Sequence, residues 1–530
     1  MLRKLALMVA VSLVCAWPAA AQRLGAQRPA TVRPAAPAPE AGAPSVPAVT
    51  AAAEPEERLA TTSHATRIGG VDVKYTATAG TLLLKDEAGK PKAHAFFVAY
   101  TRDGMGEPET RPITFAYNGG PGSASIWLHM GALGPKRAAM AEDGFQPGPP
   151  YQIVDNDSSI IDVTDLVMID PVMTGYSRPV AGEPKEQFHG VNEDLRWVGE
   201  FIRRYLTRFD RWRSPKFLLG ESYGTFRSAG LAPTLQGLGI ELNGIVLVSS
   251  VLDFATIRNN EGNDLPFVSF LPTYTATAFY HKRLAPELQA DMKKTLDEAR
   301  AFAIGEYATA LLKGNMLSLA ERRAVAQKTA RYTGLSAEFV EQANLRVDAA
   351  RFRKELLRDR RLVTGRLDSR FTTMDADAAG EVQEFDPSNT ALAGPYTALY
   401  VDYLQRQLNY ETDMIYYTSG PVRPWNYGDY ENRYATHVDA LRGAMTRNPY
   451  LKIFVANGYY DMATPFFGTE YTFNHLGWEP DYQQRVTMGY YEGGHMYYIR
   501  PEMLQKFKAD VSAFIKAALP AGGAMTQGGR

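Results

Sequence analysis

The sequence predicts an α/β fold: a mostly parallel central sheet flanked by helices, with a large helical cap insertion. Three observations carry this expectation. Short, largely apolar runs recur between about residues 95 and 248 and again after 450, as strands of a sheet covered by helices do. Segments with helical periodicity separate them, the alternation that parallel crossovers need. From about Phe254 to Arg442 strand signals give way to helix caps and helical runs, so the insertion interrupts the sheet.

In chain order, residues 1–21 read as a secretory signal peptide. Arg3 and Lys4 supply positive charge, Leu5 to Ala16 an apolar core, and Ala19 to Ala21 a small-residue cleavage site. That core is too short for a membrane span, and no later stretch reaches the roughly 20 residues a span needs. The expected location is the periplasm or the medium. Residues 22–62, rich in Ala and Pro, read as a disordered linker. Residues 63–254 form the first part of the core, with strands expected at 71–75, 95–100, 113–117, 165–169, 217–219 and 245–248. Asn192 to Tyr205 has a helical apolar face of Leu195, Val198, Phe201, Ile202 and Tyr205.

Residues 255–442 are the helical insertion, with helices expected over Pro286–Leu312, after a Ser318/Glu321 capping box, and over Ser336–Leu357. Residues 443–519 return to the core, with strands at 451–455 and 484–488, and 520–530 form a flexible tail. The 530 residues carry a formal net charge of -1, which gives no basis for binding nucleic acid. Cys15 is the only cysteine, so the processed chain has no disulfide, no cysteine nucleophile and no thiolate-held zinc. Val14 before Cys15 is a poor lipidation context.

The chemistry centres on Gly220-Glu221-Ser222-Tyr223-Gly224, which follows the apolar run 216–219 and precedes a helix-compatible stretch. A Gly-x-Ser-x-Gly motif between strand and helix is a nucleophile elbow. A serine nucleophile needs a base, and the base an orienting acid, here in the order Ser, Asp or Glu, His. Asp461 follows the strand 451–455, and His495 follows the strand ending near Met488. His475 also follows Asp461 but falls in an expected helix, Glu470–Leu476, so His495 is the better base. The oxyanion requires two N–H donors. One is the Tyr223 amide, and the other comes from the loop Asn118-Gly119-Gly120-Pro121-Gly122.

These motifs resemble the serine carboxypeptidases, an α/β-hydrolase-fold family, as an exported bacterial-type member. The resemblance rests on Asn118-Gly-Gly-Pro-Gly-Ser-Ala-Ser125, Gly134-Pro135, Asp170-Pro-Val-Met-Thr-Gly-Tyr-Ser177, Gly-Glu-Ser-Tyr-Gly and the late Asp461 and Gly494-His495-Met496. It implies Ser222 as nucleophile, His495 as base, Asp461 as its acid, and Gly120 and Tyr223 as oxyanion donors. It also implies that Asn118, Gly119 and Glu221 bind the free C-terminal carboxylate of a peptide. Glu221 would do this in its protonated form, favouring acidic pH. No metal or organic cofactor is implied.

The chain departs from the family pattern at Ala116 (a Trp there), Ala132 (a Glu, the usual partner of the Glu before the nucleophile) and Ser123 (a Cys). An esterase or acyltransferase with the same triad, and a catalytically silent peptide-binding protein, stand as alternatives. The segment Asp375–Asp386 is a near miss to a calcium loop. Ala379 and Asp386 remove or shorten two oxygen ligands, so a solvated acidic loop is expected.

Overall fold

The structure, a computed structural model, describes residues 56–107, 110–477 and 479–519. The signal segment, residues 22–55 of the linker and the tail 520–530 lie outside the described residues. The described residues belong to one compact unit, 54–530.

Three long strands open the fold as an antiparallel meander: β1 (Leu59–Ile68), β2 (Val71–Lys85) and β3 (Pro91–Arg102). β1 starts inside the segment expected to be linker to residue 62. As an edge strand it leaves most side chains exposed or half-exposed, so it carries no apolar alternation to read. β4 (Ile113–Tyr117) follows, then a two-stranded ribbon of β5 (Lys136–Ala138) and β6 (Ile153–Asp155). β7 (Asp165–Ile169), the two-residue β8 (Arg178–Pro179), β9 (Lys216–Glu221) and β10 (Gly244–Val248) complete the first part of the core.

Within the insertion, β11 (Leu362–Thr364) and β12 (Thr372–Met374) form a hairpin, and β13 (Lys452–Gly458) and β14 (Val486–Tyr491) return to the main sheet. The main sheet runs β1-β2-β3-β7-β4-β9-β10-β13-β14, with β8 beside β3. Its six strands from β7 to β14 are parallel.

β4, β7, β9 and β10 are buried at every position, because helices cover both sheet faces. Their side chains alternate between two cores. Phe217, Leu219 and Val246 pack with Phe507 and Phe514 of the terminal helix Pro501–Ala518. Leu218, Ile245 and Leu247 pack with Phe201 and Tyr205 of helix Val191–Arg208 and Leu231 of helix Tyr223–Gly237.

The insertion has a third core, built around Leu271, Tyr274 and Phe352 and continuous with Tyr460, Met462, Phe466 and Phe467 after β13. The capping box at Ser318 and Glu321 forms with both reciprocal bonds. The stretch expected as one helix over Ser336–Leu357 is instead two, Ala337–Gln342 and Ala349–Glu355. Asn344 and Leu345 sit at φ of 53° and 64°, and Asp348 accepts from the Ala350 and Arg351 amides to start the second helix.

Pro286–Leu312 likewise divides, into Pro286–Gln289, Met292–Phe302, a π-helical turn Ala303–Tyr307 and Ala308–Lys313. Among the described residues, no helix is long and apolar enough to cross a membrane.

Candidate active site

Every parallel strand ends on one edge of the sheet, where ligands of open α/β sheets bind. β9 ends at Glu221, and Ser222 turns the chain at φ 60°, ψ -128° into helix Tyr223–Gly237. A serine in that region is strained and persists because its surroundings enforce it. A Cβ on Gly220 would lie 2.2 Å from the Gly224 carbonyl oxygen, so the turn closes only over a glycine. The loop after β4 presses against the same helix start: a Cβ on Gly119 would lie 2.4 Å from the Tyr223 nitrogen. Neither the Gly120 nor the Tyr223 N–H has a hydrogen-bond partner among the described residues.

Arg227, buried in that helix, donates to Asp194 at 2.7 Å and to the Asn118 carbonyl at 2.7 Å. It therefore ties the glycine loop to the helix that Ser222 begins.

The loops after β13 and β14 bring the next pair together. His495 Nδ1 lies 2.7 Å from Asp461 Oδ2. Asp461 is fully buried, and its Oδ1 accepts from the Ala463 and Thr464 amides at 2.7 and 2.9 Å. Thr464 Oγ1 adds a contact 2.7 Å from Oδ2. With Nδ1–H donated to Asp461, Nε2 of a neutral His495 keeps its lone pair. Burial disfavours the imidazolium of His495, but the charge and hydrogen bond of Asp461, with Glu221 adding to them, outweigh it and raise its pKa.

The insertion braces both loops. His495 N donates to the Leu367 carbonyl, Gly494 N to Asp368 Oδ2 at 3.0 Å, and Met462 N to the Arg366 carbonyl at 3.1 Å. A Cβ on Gly494 would lie 2.3 Å from the Leu367 oxygen, which explains the glycine before His495.

Glu221 is buried between Asn118 Nδ2, 2.9 Å from Oε1, and the Tyr498 hydroxyl, 2.5 Å from Oε2. Burial is the dominant influence and pushes its pKa up to about 7, against the opposing pull of His495 and the Tyr498 hydrogen bond. Tyr498 is a partner that the sequence reading missed. It lies on the turn after His495, and its ring fills the space beside Gly131 next to Ala132, where the family pattern has a carboxylate.

A cavity of about 300 Å³ opens over this group, lined by Asn118, Gly119, Gly120, Glu221, Ser222 and His495. Arg366 from the insertion also faces it, another residue without a sequence signal. Tyr223 faces a second cavity that Ser222 also lines. His475, the rejected histidine, is exposed at the end of helix Phe466–Asn474, with Nδ1 2.7 Å from the Tyr471 carbonyl of its own helix.

The acidic segment 375–386 is a largely exposed loop, as expected, whose first and last acids are engaged by the protein. Asp375 is buried 2.5 Å from the buried Lys354 ammonium, and Asp386 accepts from the Arg366, Leu367 and Ser388 amides. Among the described residues no cluster of three or more His, Cys, Asp or Glu could hold a metal ion.

The sequence matches the family described as serine carboxypeptidase over residues 73–500. A curated relative, serine carboxypeptidase-like 45 of Arabidopsis thaliana, is 26% identical over 215 residues, covering 37% of this chain and 42% of that protein. The chain thus spans less than half the length of this relative. Among solved structures, a prohormone-processing carboxypeptidase of Saccharomyces cerevisiae, Kex1(delta)p, is similar with a TM-score of 0.52 at 15% identity. That match covers 84% of this chain and 92% of the yeast chain, and it supports the α/β-hydrolase fold. With the match spanning both parts of the sheet and the loops bearing Ser222, Asp461 and His495, this chain belongs to the serine carboxypeptidase family.

Proposed function

We propose that this protein is a serine-type carboxypeptidase that releases C-terminal amino acids from peptides through an acyl-enzyme on Ser222. The observation that carries the reading is the His495–Asp461 hydrogen bond on the cavity that Ser222 also lines, beside two unbonded amides. Ser222 Oγ attacks the last peptide carbonyl while His495 Nε2 takes its proton. The oxyanion receives the Gly120 and Tyr223 N–H groups. His495 then passes the proton to the leaving amine, the C–N bond breaks, and water, deprotonated by the same imidazole, cleaves the ester. Asp461 keeps the imidazole in the required tautomer and stabilises its cation.

Asn118, Gly119 and protonated Glu221 hold the substrate's carboxylate. Tyr498 holds the Glu221 side chain in place despite Ala132, while burial is what favours its protonated form. The productive form has Glu221 neutral and His495 neutral. Peptidase activity therefore falls as pH rises through about 7, when Glu221 ionises beside the substrate carboxylate. The raised pKa of His495 brings its protonation close to the range in which Glu221 ionises, so the profile is a narrow bell. The N-terminal segment supports export to the periplasm or medium.

A fluorophosphonate probe should label the wild type and leave Ser222→Ala unlabelled. An unlabelled, folded wild type at a suitable pH would overturn the catalytic reading. Blocked dipeptide acids should be cleaved far faster than the matching C-terminal amides. Equal rates would point to an esterase-like or acyltransferase site without carboxylate recognition.

A further inference from the structure

Ser222 lines two adjacent cavities, which also share Gly120, Arg366 and Ala463. Asn118 and Glu221 face only the first, and the second, of about 290 Å³, is lined on its own side by Tyr223, Thr464 and the apolar Val251, Phe254, Ile257 and Phe270. A peptide whose last residue lies in the first cavity, with its scissile carbonyl at Ser222, places the preceding residue in the second. This assignment of sides rests on the carboxypeptidase reading.

The second cavity is cationic. Arg258, Arg353 and Arg366 line it, against a single acid, Asp348. None of the three arginines makes an ion pair within 4.0 Å among the described residues. Arg353, from helix Ala349–Glu355, is only 8% exposed. Its Nε donates to the Ala349 carbonyl at 3.0 Å, and its Nη1 has no hydrogen-bond partner. Asp348 caps that helix through the Ala350 and Arg351 amides. Asp386, the other acid whose charge reaches Arg353, is held by the backbone of 366–367 and by Ser388.

Arg366 faces Arg353 as a like charge and also bears on His495. Arg258 lies 5.4 Å over the Phe254 ring. A buried guanidinium with an orphan donor beside a second cation is costly in a folded chain unless an anion joins it. A carboxylate matches the guanidinium fork.

We propose that this cavity is an anion-selective subsite that takes the acidic side chain of the residue preceding the scissile bond, with Arg353, Arg366 and Arg258 as its cations. The apolar wall carries the side chain's methylenes, and the arginines receive its carboxylate.

The test is a series of blocked dipeptide acids with one common C-terminal residue and Glu, Gln, Leu or Lys before it. The fixed C-terminal residue cancels any contact of Arg366 with the terminal carboxylate. Wild type should favour Glu over Gln by roughly tenfold or more in kcat/KM, the scale of a charge-assisted hydrogen bond, with Lys the poorest. Arg258→Gln and Arg366→Gln, both at exposed positions, should each pull the Glu:Gln ratio toward one, and Arg353→Gln should do so most strongly if it folds. A Glu:Gln ratio at or below one in wild type that cleaves the Gln peptide overturns the subsite and leaves the carboxypeptidase reading standing. Cleavage of none of the peptides overturns both.

Discussion

Glu221 holds its proton under opposing influences. Burial raises its pKa to about 7, while the Tyr498 hydroxyl and the Asn118 amide donate to the carboxylate and pull it down. Tyr498→Phe removes one such donor, so the proton is held more tightly. The proposed alkaline fall of peptidase activity should then move up by about one pH unit, the worth of one hydrogen bond to a charged group. An unmoved or downward-shifted limb would contradict the contact.

Glu221→Gln tests the same proton through stability. The folded value near 7 lies above the ordinary 4.5, so the folded state binds more protons between those values. The stabilisation linked to that proton is complete below pH 4.5 and lost as pH rises through about 7. The Gln variant escapes the loss. Above pH 7 it should gain up to roughly 3 kcal/mol on wild type, a difference that shrinks toward pH 4.5 in urea denaturation at several pH values.

At the scale of the element, the elbow depends on unequal glycines. A Cβ at 220 would meet the Gly224 carbonyl oxygen at 2.2 Å, whereas one at 224 meets the Tyr117 and Asn118 backbone at 3.0 to 3.3 Å. Gly220→Ala should destabilise by about 2 kcal/mol or more, and Gly224→Ala by clearly less, measured as shifts in denaturation midpoint. Equal shifts would mean the turn relaxes more freely than its contacts indicate.

The same scale separates what periodicity reveals from what it hides. Helix Val191–Arg208 buries one face and exposes the other, so its sequence shows it. Helix Leu265–Tyr280 is buried on nearly all sides and shows no stripe. The break inside 336–357 depends on Asp348 capping a new helix, a local choice invisible to an apolar pattern.

Across the whole molecule, the insertion and the sheet act as one body around the site. Tyr460 and Met462 flank Asp461 and belong to the insertion's core, and the chain at 366–368 bonds the loops of Asp461 and His495. Phe352 is fully buried in that core and stacks on Tyr274 at 4.1 Å. Phe352→Ala should cost about 3–5 kcal/mol and lower the single melting transition, with peptidase activity lost in parallel. A separate early transition that leaves activity intact would show that the insertion does not hold the site.

Ser222, Asp461, His495 and the glycine loop at 118–122 were readable as the candidate site because each stands beside a strand end with a turn signature, and the proposed chemistry restricts which residue types could work there. The parallel sheet was legible too, because strands covered on both faces must be apolar throughout. The partners that tune those residues were not. Tyr498 reaches Glu221 from 277 positions away, and Arg353 and Arg366 enter from an insertion with no readable code. Such contacts arise only when distant segments pack into the same volume, and no local pattern records which segments will meet.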